Sequence, residues 1–106
     1  MKKIIVKKSN IKNAGKGVFA GENINKDDLI GIFKGFKVNA DGIHVLWLDE
    51  DHAIEVTNDM KYVNHSKNPN AGLWGVELYA IKDIKKNEEI FFDYNEEVED
   101  LFGENS

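Results

Sequence analysis

A single, mostly β domain is predicted for this chain, and three observations predict it. Apolar and polar residues alternate in short runs such as Val76-Glu77-Leu78-Tyr79-Ala80, the period of a half-buried strand. Breaks rich in Gly and Asn separate these runs so closely that hardly any stretch has room for a helix of ordinary length. The length of 106 residues provides for one compact core but not two.

In chain order, residues 3–8 read as an opening strand with Ile4-Ile5-Val6 as its β-branched centre. Residues 9–17 are a turn-rich connection whose end, Gly15-Lys16-Gly17, leads straight into Val18-Phe19-Ala20. Two glycines one residue apart suit a hairpin corner or a close approach of backbone to a ligand. They are no dinucleotide fingerprint, because the third glycine and the following helix are missing. A turn at Asn25-Lys26-Asp27-Asp28 precedes a short strand over 29–34, bracketed by Gly31 and Gly35. Residues 36–45 read as a weakly patterned connection and 45–48 as a strand carrying Trp47. Asp49-Glu50-Asp51-His52 is an acidic turn, and 53–56 form the returning strand. His52 is expected in the turn and His44 in solvent. Asp59 to Tyr62 fit one helical turn, 76–80 a strand, 82–89 a charged turn with Asn87 suited to a left-handed backbone, and 90–92 the last strand. Residues 78–90 weakly echo 18–30, a likeness that strand–turn–strand hairpins would produce without duplication.

Composition narrows the function. With 42% hydrophobic residues the chain is neither disordered nor membrane-like. Its longest apolar run is too short to span a bilayer, and Lys2-Lys3-Ile4-Ile5-Val6 turns polar too soon for a signal sequence, so an intracellular location away from membranes is expected. The absence of cysteine excludes disulfides and thiolate metal sites; His44, His52 and His65 lack ligand spacing, and no metal is expected. All 14 basic residues are lysine. Lacking arginine, the preferred fork for phosphates and base edges, the chain is not expected to be a dedicated nucleic-acid reader. A net charge of −5 favours a basic partner such as a lysine-rich peptide.

Two stretches depart from the strand pattern. Asn64-His65-Ser66-Lys67-Asn68-Pro69-Asn70 is wholly polar apart from its proline, yet lies between Tyr62-Val63 and Ala71-Gly72-Leu73-Trp74. Its Asn and Ser side chains bend backbone, and Pro69 keeps Asn68 out of the helical region. Composition leaves a solvated turn and a functional loop equally open. The second stretch is Phe91-Phe92-Asp93-Tyr94-Asn95. Together with the glycine pair they form an ordered series: Gly15-Lys16-Gly17-Val18-Phe19-Ala20, then Asn64-His65-Ser66 with Pro69-Asn70-Ala71, then residues 84–95 closing on Asp93-Tyr94-Asn95. This series resembles the three motifs of the SET domain, in the same order and at matching separations, over roughly residues 8–95. A minimal stand-alone form of that family resembles this length.

The resemblance implies a fold of several small curved sheets with a C-terminal pseudoknot, in which the closing segment passes beneath an earlier loop. It implies a single SET domain over 1–95 and a protein-lysine methyltransferase using S-adenosylmethionine as cofactor. Cofactor-binding residues implied are Gly15, Lys16, Gly17, Tyr62, Asn64 and His65. Backbone at 15–17 would wrap the methionine part, Asn64 would bind its amino group, and His65 would meet adenine mainly through main chain; Lys16 gains no chemical role. Tyr94 is the implied catalytic hydroxyl, and Tyr62, Phe92 and Tyr94 line the implied substrate channel. Phe92, two before the closing tyrosine, is implied to control how many methyl groups are added. Asp93 is expected to be structural, and Glu88 and Glu89 are expected to pair with lysines or accept backbone donors.

The chain departs from the family pattern at Lys67, where cysteine often follows Asn-His-Ser, and at Asn87, where glycine often stands. It carries no cysteine-rich segment after the last motif, and residues 96–106 are a short acidic tail. Three outcomes stay open: Leu101-Phe102 of that tail caps the substrate channel, a homodimer partner closes it, or the site is open. The implied substrate is a lysine in a basic protein or peptide, such as a histone tail. The alternative is a non-catalytic SET-like peptide-binding or scaffold module. Location would be cytoplasmic in a prokaryote and nuclear in a viral or eukaryotic setting.

Overall fold

Short apolar runs between frequent breaks can bury their faces only by packing several small sheets together. The computed structural model describes residues 1–93, and among these it forms ten strands and a single 3₁₀ turn. The strands are β1 (Ile4–Lys8), β2 (Lys16–Ala20), β3 (Leu29–Ile32), β4 (Gly35–Val38), β5 (Val45–Asp49), β6 (His52–Val56), β7 (Asn64–His65), β8 (Ala71–Trp74), β9 (Glu77–Ala80) and β10 (Phe91–Phe92); the 3₁₀ turn is Asp59–Tyr62. They form four sheets: β1-β2, β3-β9-β8, β4-β6-β5 and β10-β7. All pair antiparallel except β10 and β7, which run parallel with Phe91 opposite Asn64 and Phe92 opposite His65.

That parallel pair is the pseudoknot. The Ser66 amide donates to the Phe92 carbonyl at 3.0 Å and the Asn70 amide to the Phe91 carbonyl at 3.2 Å, so the loop after β7 grips the closing segment. Val18, Ile24, Ile30, Leu78, Ile84 and Ile90 are almost wholly buried and knit the sheets into one core.

Several boundaries differ from expectation. The stretch read as a connection over 36–45 begins with β4, which the sequence hides because only tertiary pairing to β6, Gly35 opposite Val56, makes it a strand. Gly35 is required there: a Cβ would run into the Glu55 carbonyl of β6. Ala71–Trp74 is a strand rather than a lead-out, paired along its length with β9. His52 opens β6 instead of lying in the turn.

The weak echo between 18–30 and 78–90 proves to be a structural repeat, and not a pair of hairpins. Ile24 and Ile84 exchange both backbone hydrogen bonds at 2.8 Å. The Lys26 amide donates to Asp83 Oδ1 at 2.9 Å, and the Lys86 amide to Asn23 Oδ1 at 2.9 Å. Asp27 and Asn87 both have φ of 77°, and their amides donate to Ala80 and Ala20 respectively. Each half closes its turn on the other half. β3 therefore pairs with β9, while the Ala20 amide donates to the Glu88 carbonyl and the Ile90 amide to the Val18 carbonyl. Residues 88–90 are thereby laid along β2.

Candidate active site

The exchanged repeat brings the start of β2, the start of β7 and residue 89 to one point. Glu89 is 4% exposed and is, with Ser9, one of two buried polar side chains among the described residues. Burying a carboxylate is costly unless donors surround it. Ser9 Oγ donates to Glu89 Oε2 at 2.7 Å, the Asn10 amide to Oε1 at 2.8 Å, and Asn64 Nδ2 to Oε2 at 3.0 Å. Ser9 Oγ in turn accepts from the Ile11 amide at 3.0 Å. The loop carrying these donors is closed by the Ser9 amide on the Gly15 carbonyl at 2.8 Å, with Gly15 at φ 74°.

Gly17 lies against this carboxylate. A Cβ there would collide with Glu89 and stand 3.2 Å from Asn64 Nδ2. The two glycines thus have different reasons: Gly15 supplies a left-handed backbone in open space, and Gly17 supplies the absence of a side chain. Asn64 Nδ2 also donates to the Lys16 carbonyl at 3.1 Å, so the glycine segment, Asn64 and Glu89 form one hydrogen-bonded unit.

A second unit holds the closing segment. Asn70 Nδ2 donates to the Glu89 carbonyl at 2.8 Å, and Asn70 Oδ1 accepts from the Phe91 amide at 2.8 Å. One side chain thereby acts as a missing strand neighbour on both sides of Ile90. Phe92, 5% exposed, packs its ring 6.0 Å from that of Phe33. It lines a cleft of about 160 Å³ whose walls include Phe33, Leu46, Val56, Met60 and His65.

Tyr62, half-buried, stands beside Lys16, whose Nζ lies 5.3 Å from the ring centre; Lys61 Nζ lies 5.2 Å from it, and His44 meets it edge-on at 6.1 Å. His65 is exposed, and its Nε2 is 3.7 Å from Asp93 Oδ1. Of the sequence-derived residues, Gly17 and Asn64 meet directly, Lys16 joins them by its carbonyl and Tyr62 by its ammonium, and His65 and Phe92 share the cleft. Gly15 is exposed, with nothing within 4 Å of where its Cβ would be. Tyr94, the expected catalytic hydroxyl, and Leu101-Phe102 of the expected cap lie outside the described residues.

Sequence reading underrated Glu89, Ser9 and Asn70. Glu88 does accept a backbone donor, from the Lys85 amide at 2.7 Å. Glu89 accepts one as well, but it pairs with no lysine within 4 Å among the described residues. Its burial had one available signal, its place directly before the apolar run Ile90-Phe91-Phe92.

One structural observation fits the methionine end of S-adenosylmethionine: an Asn64 amide whose oxygen accepts no bond among the described residues, while the space beside Gly17 is taken by the Glu89 carboxylate.

Comparison with known proteins points to one family. A histone-lysine N-methyltransferase of Neurospora crassa, H3 lysine-4 specific, is 31% identical over 109 residues, covering 78% of this chain and 8% of its own. The histone-lysine N-methyltransferase EZ2 of Zea mays is 28% identical over 105 residues, covering 76% of this chain and 12% of its own. The chain therefore spans only about a tenth of the length of these relatives. Among solved structures, a humanized mutant of the Chaetomium thermophilum Polycomb Repressive Complex 2 in complex with an inhibitor superposes with a TM-score of 0.76 at 28% identity, over 91% of this chain and 15% of that one. Residues 15–95 match the SET domain family model, and on the motifs, the pseudoknot and this match the chain belongs to the SET domain family.

Proposed function

We propose that this chain is a protein-lysine N-methyltransferase with S-adenosylmethionine as methyl donor and a basic protein or peptide as substrate. The observation that carries the reading is the convergence of Gly17, Asn64 and the buried Glu89 beside the Phe92 cleft. When bound, the cofactor supplies an electrophilic methyl on a positively charged sulfur. The chain's own task is then placement rather than bond-making. Gly17 leaves room for the Glu89 carboxylate to hold Asn64, Asn64 offers an acceptor to an ammonium group, and Tyr62 with Lys16 walls the adjoining surface. The apolar wall of Phe33, Leu46, Val56, Met60 and Phe92 suits the aliphatic stem of a lysine, and the desolvation that a bound substrate brings there favours the neutral amine that methyl transfer requires. Tyr94, two residues after Phe92 in the chain, is assigned the catalytic hydroxyl that orients methyl and amine.

The acidic balance of the chain and the names of its relatives support a lysine-rich substrate, a histone tail where the cell has histones. In such a cell the chain would act in the nucleus, and otherwise in the cytoplasm. A homodimer partner is proposed to close the substrate channel. Tyr94→Phe tests the assignment: it deletes one hydroxyl, so cofactor affinity should persist while methyl transfer to a basic peptide falls by about two orders of magnitude or more. Near wild-type transfer by the folded variant would reject it.

A further inference from the structure

Glu89 is a buried carboxylate with no lysine or histidine within 4 Å among the described residues, and neutral groups alone satisfy it. A buried charge without a counter-charge is unusual, because desolvation is repaid chiefly by an opposite charge. Its partner Asn64 is constrained just as unusually. The two groups facing the Asn64 side chain at hydrogen-bond distance are the Glu89 carboxylate and the Lys16 carbonyl, both acceptors. Only the NH₂ end can face them, and both of its hydrogens are used. The amide is therefore fixed in one of its two orientations, with Oδ1 left without a partner among the described residues.

We propose that Glu89 is a positioning residue that locks Asn64 with its oxygen outward, and that this lock is what recognises the α-ammonium group of the cofactor. The proposal rests on the reading that this pocket holds S-adenosylmethionine. The carboxylate behind the amide adds polarisation: Nδ2 donating to an anion strengthens Oδ1 as an acceptor, and the incoming ammonium supplies the positive charge the buried site lacks. Gly17 belongs to the same device, because only a residue without Cβ lets the carboxylate reach Asn64. Ser9 and Asn10 hold the carboxylate from behind, through the loop between β1 and β2.

Glu89→Gln is the informative variant. It keeps shape and burial but replaces one acceptor oxygen by a donor, which invites Asn64 to turn its oxygen inward. Isothermal calorimetry should use S-adenosylhomocysteine and its analogue lacking only the α-amino group. The wild type should bind the first more tightly, and Glu89→Gln should weaken it about tenfold or more while leaving the deaminated analogue within about twofold. Equal weakening of both ligands would make Glu89 merely structural, and unchanged affinity for both would remove it from recognition; either result overturns the proposal. A wild type that binds neither ligand would overturn the cofactor reading itself and this inference with it.

Should Glu89→Gln not fold, the wild type decides alone. The Asn64 side-chain NH₂ resonances, assigned with Asn64→Ala, should exchange with solvent more slowly than those of exposed asparagines such as Asn39, with and without ligand. Exchange as fast as for Asn39 would defeat the lock.

Discussion

Adding one carbon at Gly17 should damage both stability and cofactor binding, whereas the same carbon at Gly15 should cost less, through its backbone alone. The Gly17 Cβ meets the Glu89 side chain and comes within 3.2 Å of Asn64 Nδ2. Overpacking a filled site costs about 1–3 kcal/mol. The carboxylate must also retreat from Ser9 Oγ or Asn64 Nδ2, and each charge-assisted bond is worth about 1.5–3 kcal/mol. A combined loss of about 3 kcal/mol is therefore a low figure. In a domain of this size 1 kcal/mol moves the melting temperature by roughly 4–8 °C, so Gly17→Ala should melt about 12–24 °C lower. Gly15→Ala meets open space and is charged only for its φ of 74°, about 1–2 kcal/mol. Gly15→Asn should recover part of that, since Asn tolerates the same conformation. Differential scanning calorimetry gives the three melting points, and titration with S-adenosylmethionine gives the affinities. Gly17→Ala melting within about 3 °C of the wild type, with unaltered affinity, would refute the steric argument.

Other consequences follow from the closing segment and from composition. Asn70→Ala removes both bonds that bracket Ile90 and leaves part-buried backbone groups unpaired, so it should cost about 2–4 kcal/mol and speed hydrogen exchange at the Phe91 amide; unchanged exchange there would show that β10 does not depend on it. Phe92→Tyr adds a hydroxyl to the apolar cleft beside Phe33 and Met60, and should shift products from di- and trimethyllysine towards monomethyllysine. Mass spectrometry of a single-lysine peptide over time checks this, an identical product distribution counting against it. With no cysteine in the chain, chelation should leave the melting temperature unchanged, and metal analysis should find no stoichiometric zinc.

What the sequence disclosed was set by how local each signal is. Strands with alternating side chains, such as β6 and β9, declare themselves because their period is their own. The left-handed turn at Asn87 was legible for the same reason. β4 and β8 were not, since Phe36 is exposed and Gly72 carries no side chain, and their strand character comes from partners. At the site, Gly17 and Asn64 were found through the motif series that resembles a family. Glu89 was seen but given an ordinary role, because nothing within residues 85–92 states that Ser9 and Asn10, some eighty positions earlier, will close over it. A buried carboxylate can be read only once its donors are assembled.

The exchanged repeat has a consequence for how the molecule comes apart. Ile24 and Ile84 pair across sixty residues, and each half's turn is completed by backbone from the other. Neither half can be kept while the other is lost, and a chain whose decisive contacts are so distant must search long loops before any of them forms. Residue 89 is at once a rung of this seam, bridged to Phe19, and the carboxylate that holds Asn64. The pocket should therefore fail only when the whole seam opens, and a ligand bound there would hold both halves of the chain together.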